Sequence, residues 1–367
     1  MPSKPQFVGE CRRVKLNEIC TKGKSSLRQK DVFNDGPYSV YGASGVVGTT
    51  CDYQNEIPYV AVVKDGAGVG RASVCEPMTS VLGTMQALIP NSNVERDYLL
   101  HLVRSLRLGE GFSGSTIPHI YFKDYGRIEV PLPSLEAQNQ IVSQLGLVEA
   151  QITQAEAQIE QLDSLVKSRF VEMFLNSSWP IATIGECSTD IRYGTNEKAS
   201  TEGEYVYLRM NNMGDDGSLD LSDTKRITLE GKALSNCLVR KGDLLFNRTN
   251  SREKVGKTCV FCFDKPMVIA GYIIRVRLDG RVDSTYLAAY MNLSSTKALL
   301  RGMAKGAVHQ ANINAKQLAS IEFPLAGIEA QKEFISFVHQ VDKSRFVYRE
   351  TKGTNSFSIL DVVAYVC

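Results

Sequence analysis

The sequence predicts an α+β fold: two tandem units of mixed α/β structure, separated by long helices that form an antiparallel coiled coil, with pseudo-twofold symmetry. Three observations carry this prediction. Ile128-Glu129-Val130-Pro131-Leu132 returns 193 residues later as Ile321-Glu322-Phe323-Pro324-Leu325, and Leu135-Glu136-Ala137-Gln138 returns at the same offset as Ile328-Glu329-Ala330-Gln331. An internal repeat marks a duplicated architecture. Short apolar runs with glycine-rich turns precede each copy, as strands do. A helical apolar stripe follows each copy.

The first unit spans residues 1–134. Tyr59-Val60-Ala61-Val62-Val63 is an apolar strand that ends at the turn signal Lys64-Asp65-Gly66. A short helix is expected over Arg96 to Leu106, and Pro131 and Pro133 make a stiff exit. Residues 135–178 form a spacer helix. Its apolar positions Ile141, Leu145, Val148, Ile152, Ala155, Ile159, Leu162 and Val166 alternate in steps of four and three, and Phe170 and Met173 continue the rhythm. That is a heptad seam. A helix of about forty residues is roughly 50–60 Å long. Its seam needs cover, and the expected partner is its duplicate, with Phe334, Phe337, Val338 and Val341 on one side. Packing on a domain, or pairing between chains, is the alternative.

The second unit spans 179–326. Val268 to Leu278 reads as a strand, with Arg275 and Arg277 on one face and Ile274, Val276 and Leu278 on the other. A helix is expected over Ser284 to Met291, and Pro324 makes the second exit. The distal helix covers 327–350, and the tail 351–367 is unassigned. Lys167-Ser168-Arg169-Phe170 recurs as Lys343-Ser344-Arg345-Phe346 at an offset of only 176, so the second helix reads seventeen residues shorter. Further matches keep the same order: Val69-Gly70-Arg71-Ala72 with Val255-Gly256-Lys257-Thr258, Gly83 with Gly271, Tyr98-Leu99 with Tyr286-Leu287, and Ile120 with Ile313.

The 367 residues suffice for two or three cores. Charged residues at 22% and apolar residues at 43% fit a globular protein. No run of eighteen apolar residues occurs and Met1 to Gly9 lacks a signal-peptide core, so a cytoplasmic protein is expected. Nine cysteines then read as reduced thiols. A net charge of +2 is low for a chain that holds nucleic acid alone, but does not exclude a DNA reader whose partner subunits supply most of the positive field. His101, His119, His309 and His339 lack metal spacing. Cys259-Val260-Phe261-Cys262 has no second pair and reads as strand. Asp65-Gly66-Ala67-Gly68-Val69-Gly70 looks like a phosphate loop, but strand-like Arg71 to Cys75 follows it where a helix should start. No catalytic, cofactor-binding or metal residue is assigned, and no enzyme is expected.

The repeat, the exits and the helices together resemble the specificity subunits of type I restriction-modification systems over residues 14 to 350. The marks in the first unit are Tyr38-Ser39-Val40-Tyr41-Gly42-Ala43-Ser44-Gly45-Val46-Val47-Gly48 and Gly114-Ser115-Thr116-Ile117-Pro118-His119-Ile120. In the second they are Tyr207-Leu208-Arg209-Met210-Asn211-Asn212-Met213, Gly242-Asp243-Leu244-Leu245-Phe246-Asn247-Arg248-Thr249-Asn250-Ser251 and Lys254-Val255-Gly256-Lys257. The resemblance implies two target recognition domains, each reading half of a split, asymmetric site in double-stranded DNA. It implies helices that set the gap and dock two modification subunits, which bind S-adenosylmethionine and methylate adenine. Restriction subunits then use ATP and Mg to translocate and cut. A non-catalytic scaffold with two protein-binding domains is the competing reading. The short second helix and the tail depart from the longer family pattern.

DNA readers need forked or amide side chains for base edges, and lysines and hydroxyls for phosphates. In the first unit the candidates are Lys24, Ser25, Tyr41, Ser44, Lys64, Arg71, Ser115, Thr116 and His119. Tight-turn roles for Tyr41 and Ser44, and packing for His119, are the alternatives. In the second they are Arg192, Tyr193, Arg209, Asn211, Arg248, Asn250, Ser251 and Lys254. Arg209 pairing with a local carboxylate, and a merely solvated loop over Arg248 to Lys254, are the alternatives there.

Overall fold

The computed structural model describes residues 11–111, 118–307 and 310–354. The chain forms two compact units, one built from residues up to Ala155 and one from Glu156 to Arg349.

In the first unit the entry strand Arg12–Lys15 pairs antiparallel with the exit strand Glu129–Leu132. A four-stranded antiparallel sheet has the order Cys20–Lys22, Met85–Pro90, Tyr59–Val63, Ala72–Cys75. A three-stranded sheet has the order Gly45–Thr50, Tyr38–Gly42, Ser80–Val81, its last pair parallel. Tyr59–Val63 is buried at every position. Val60 and Val62 pack with Tyr98, Leu99 and Leu102 of the helix Arg96–Ser105, while Tyr59, Ala61 and Val63 pack with Val81 on the opposite side. A strand covered on both faces needs no alternation, which explains the unbroken apolar run. Glu95 caps the helix by accepting from the Tyr98 amide at 2.6 Å.

The second unit repeats this plan. Ile181–Thr183 pairs antiparallel with Glu322–Pro324. One sheet has the order Ser188–Tyr193, Ile273–Leu278, Leu244–Asn247, Thr258–Val260, and another Lys225–Ile227, Tyr205–Leu208, Met267–Ile269, Leu238–Val239. A small third sheet joins Thr249–Asn250, Gln310–Asn312 and Lys305–Ala307. The helices Ser284–Met291 and Ser294–Met303 complete the core. The expected single strand from Val268 to Leu278 is corrected. Met267–Ile269 and Ile273–Leu278 lie in different sheets, because the chain turns at Ala270-Gly271-Tyr272. Arg275 is buried, held by Asp190 and by the carbonyl of Leu238.

The helix Leu135–Phe170 continues into a π-helical turn, Val171–Leu175. Its apolar stripe divides between two tasks, which corrects the reading of one uniform seam. Ile141 and Leu145 are core residues of the first unit, with Val130 and Leu132. Ala155 is buried, while Val148, Ile152, Ile159, Leu162 and Val166 are half-buried. Phe170, Phe174 and the half-buried Met173 join the core of the second unit. There the first helix meets Ile328–Thr354 in antiparallel sense. Phe170 sits edge-on to Phe334 at 5.3 Å, Arg169 bonds Glu333 at 3.1 Å, and Arg345 pairs with Asp163. Phe334, Val338 and Val341 are buried and Phe337 is half-buried.

The recurring Glu-Ala-Gln has a physical cause. Gln138 is fully buried at the start of its helix; its amide donates to the carbonyls of Pro133 (2.9 Å) and Asn93 (3.0 Å) and accepts from the Glu95 amide (2.8 Å). Gln331 does the same with Ala326 (2.8 Å), Arg281 (3.0 Å) and the Asp283 amide (2.9 Å). Each glutamine ties the proline exit to the cap of the domain helix.

Seven described cysteines are free thiols, but Cys11 is disulfide-bonded, which departs from the expectation of reduced thiols throughout. Among the described residues no helix is long and apolar enough to cross a membrane, and no cluster of side chains could hold a metal ion.

Candidate nucleic-acid interface

Antiparallel pairing brings particular strand ends together in the second unit. Tyr193 pairs with Ile274 and Asn247 with Ile273, so the end of one strand, the start of the next and the end of a third share one edge. The other sheet ends there too. Leu208 and Ile269 are parallel neighbours, and Ala270-Gly271-Tyr272 carries the chain from this sheet to the first. Three amides lock the crossing: Ala270 donates to the Leu208 carbonyl (2.9 Å), Gly271 to Thr195 (2.7 Å) and Arg248 to Tyr272 (2.9 Å). A Cβ at 271 would lie 2.0 Å from Asn196 Oδ1, so a side chain there requires the exposed Asn196 to swing aside.

The side chains at this edge are organised rather than loose. The Arg248 guanidinium lies 4.7 Å over the Tyr193 ring, a cation–π contact, and donates to Asn312 Oδ1 at 3.1 Å. Its Nη1 points at the Gly271 carbonyl at 3.5 Å, and its buried Nε has no partner within the protein. The Tyr193 hydroxyl accepts from the Ala315 amide at 2.8 Å. Asn250 Oδ1 accepts from the Ser251 amide, and the Ser251 carbonyl accepts from the amides of Lys254 and Val255. Lys254 is exposed and forms no ion pair among the described residues. Arg192 pairs with Asp190 at 2.7 Å. Arg209 pairs with Asp223 at 2.9 Å, and Asn211 donates to the same carboxylate at 3.2 Å, so the local-carboxylate alternative for Arg209 holds.

Behind this edge, Lys297 on the helix Ser294–Met303 donates to the Gly256 carbonyl at 2.6 Å. Burial pushes its ammonium down to about 8. Lys257 reaches the Met213 carbonyl and Asp215, both at 3.1 Å.

The corresponding edge of the first unit carries Lys64, Arg71, His119 and Tyr41. Lys64 donates its amide to the Thr84 carbonyl (3.0 Å) and accepts from the Ile120 amide (2.9 Å). His119 bridges Asp65, its ring edge-on to Tyr121. Arg71 is exposed, and its Nε bonds the Gly68 carbonyl at 3.4 Å. Burial raises the Tyr41 hydroxyl pKa. Ser44 is exposed in the turn between Tyr38–Gly42 and Gly45–Thr50. The Ser25 hydroxyl is committed to the Ala87 amide at 2.9 Å, and the backbone of exposed Lys24 is clasped by Asn55. Ser115, Thr116 and His309 lie outside the described residues.

The hydrogen bonds make the two edges superimposable in plan. Arg248 accepts from the Ile313 amide as Lys64 does from Ile120, and bonds Tyr272 as Lys64 bonds Thr84. Leu82 bonds Tyr41 as Ala270 bonds Leu208. Gly70 (φ 84°) returns to Val63 as Gly256 (φ 85°) returns to Asn247. The side chains that this frame carries differ. Sequence reasoning missed Asp223, Tyr272 and Asn312 at this edge; the repeated Gly83 and Gly271 were the one signal for the Tyr272 segment.

Comparison with known proteins agrees with this plan. The family model described as type I restriction modification DNA specificity domain matches residues 10–163 and again 181–351. The type I restriction enzyme StySPI specificity subunit of Salmonella potsdam is 23% identical over 290 residues, covering 72% of this chain and 61% of that protein. The putative type I restriction enzyme MjaX specificity subunit of Methanocaldococcus jannaschii is 28% identical over 103 residues, 28% of this chain and 24% of that one. The chain thus spans less than two thirds of the length of these relatives. The crystal structure of a type I restriction-modification system S subunit from M. genitalium shares the fold, with a TM-score of 0.52 at 14% identity over 100% of this chain and 98% of that one.

Proposed function

The chain belongs to the type I restriction modification DNA specificity domain family, and on that premise we propose that it recognises a split, asymmetric site in double-stranded DNA. Each unit reads one half. The helices Leu135–Phe170 and Ile328–Thr354 pair as an antiparallel coiled coil, set the gap between the halves, and dock two modification subunits. Those subunits bind S-adenosylmethionine and methylate adenine; restriction subunits join through them and use ATP and Mg. This chain contributes recognition and carries no chemistry of its own.

The single observation that supports this reading is the duplicated edge. One hydrogen-bonded frame presents Lys64 and Thr84 in one unit and Arg248 and Tyr272 in the other. A pair of seats with one geometry and two sets of side chains is what reading two different sequences requires, because backbone contacts position while side chains specify. Arg248, stacked on Tyr193 and tied to Asn312, is held in a single pose for base contact. Lys254 in the following loop suits a phosphate.

The test is co-expression with the cognate modification subunits and mapping of methylated adenines. A split motif is expected, and exchanging the residues of one edge should alter only one half of it. Methylation without sequence preference, or a single continuous motif, would refute the reading in favour of a scaffold.

A further inference from the structure

We infer that Asp223 reads the exocyclic amino group of a cytosine in the half-site bound by the second unit. The inference deepens the DNA-recognition reading and rests on it. Asp223 stands just before Lys225–Ile227, beside the residues that follow Tyr205–Leu208. One carboxylate oxygen, Oδ2, accepts from Arg209 Nη2 (2.9 Å) and Asn211 Nδ2 (3.2 Å). Its backbone carbonyl accepts from Arg209 Nη2 (3.0 Å) and from the buried Asn212 Nδ2 (2.8 Å). The residue is therefore fixed by four hydrogen bonds from three donors, yet its side chain is 74% exposed. Oδ1 has no hydrogen-bond partner among the described residues.

An exposed carboxylate on a phosphate-binding edge weakens binding by repulsion. As an exposed ion pair it adds little stability. Holding it rigid with one oxygen open is useful if that oxygen reads a donor. In the major groove cytosine offers its N4 amino group with no adjacent acceptor. Adenine places N7 beside its amino group, and guanine and thymine present acceptors that a carboxylate repels. The acceptor-only group therefore selects cytosine. The clasp is also absent from the shared frame: Leu208 corresponds to Tyr41, and the next residue in the first unit is Gly42, which offers no guanidinium. The clasp is therefore not part of the frame that the two units share.

The experiment uses the full chain assembled with its modification subunits, after its site has been mapped. Binding is measured on duplexes in which each C·G pair of the second unit's half-site is replaced by U·A, which turns the amino donor into an acceptor. One replacement should weaken wild-type binding roughly ten-fold or more, and Asp223→Asn should bind that duplex and the parent within about three-fold of each other. Its melting temperature and its preference in the other half-site should be unchanged. The inference is overturned if no replacement weakens wild-type binding, if Asp223→Asn keeps the full discrimination, or if it merely tightens binding to every sequence alike. Should Asp223→Asn fail to fold, Asp223→Ser is measured on the same duplexes, with the same outcomes expected and the same ones overturning the inference. Loss of all sequence preference by the wild-type complex would instead refute DNA recognition as such.

Discussion

The two units share a backbone plan and differ in what they place behind it. At the centre of the first unit Ala61 faces Ala87, and both are wholly buried. The same rung of the second unit pairs Leu245 with Arg275, a guanidinium 1% exposed. Behind the left-handed glycine of the first unit lies the backbone of Leu108 and Gly109; behind that of the second lie Leu300 and the ammonium of Lys297. Among the described residues, the polar side chains buried in the first unit are all uncharged. The second has replaced part of its apolar packing with buried charge held by specific partners, and its stability therefore depends on single polar contacts.

The sharpest way to break this contrast is at Asp190. Against a burial that would raise it, hydrogen bonds from Arg192 and Arg275 hold its carboxyl below the usual carboxylate range. Asp190→Ala strands a buried guanidinium and should destabilise the second unit by about 3–5 kcal/mol in denaturant titration. The first unit, with alanine on that rung, has no such site. A loss under about 1 kcal/mol would mean that the Arg275 charge is solvated after all.

The next effect concerns pH. The folded state holds Lys297 at about 8, below its ordinary 10.5, so between these values the unfolded chain binds the extra proton. Stability should then be lowest below pH 8 and gain on this account as pH rises toward 10.5, by about 3 kcal/mol in total. Buried tyrosines such as Tyr286, whose hydroxyl is raised by burial, pull the other way at high pH. The difference between wild type and Lys297→Met isolates the lysine. Parallel stability curves across that window would show that its amine is charged in the fold.

The smallest of the three effects tests what the units share. Gln138→Leu and Gln331→Leu each leave two buried carbonyls and one amide unserved, and each should lower stability by about 2 kcal/mol. Near-equal losses would support a common frame. A cost at one site alone would separate the two exits that look identical.

The repeat of Glu-Ala-Gln was legible in sequence because one local arrangement enforces it twice. Tyr59 to Val63 was legible because a strand covered on both sides has only one composition open to it. The division of Val268 to Leu278 between two sheets was hidden, since Gly271 reads as an ordinary turn residue until Asn196 is brought against it. Ile141 and Leu145 kept heptad spacing while serving a domain core, so periodicity alone assigned them the wrong neighbour. The seat of Arg248 depends on Tyr193, Gly271 and Asn312, which are far apart along the chain. Asp223 sits in an acidic, polar stretch that marks it in no way.

The crossing at Gly271 has a consequence for how such chains change over generations. A side chain there collides with Asn196, whereas the matching Gly83 would meet nothing nearer than 3.5 Å. A substitution at 271 is therefore tied to a movement of Asn196. The first half carries no such condition, so the two matching turns are coupled to their surroundings differently.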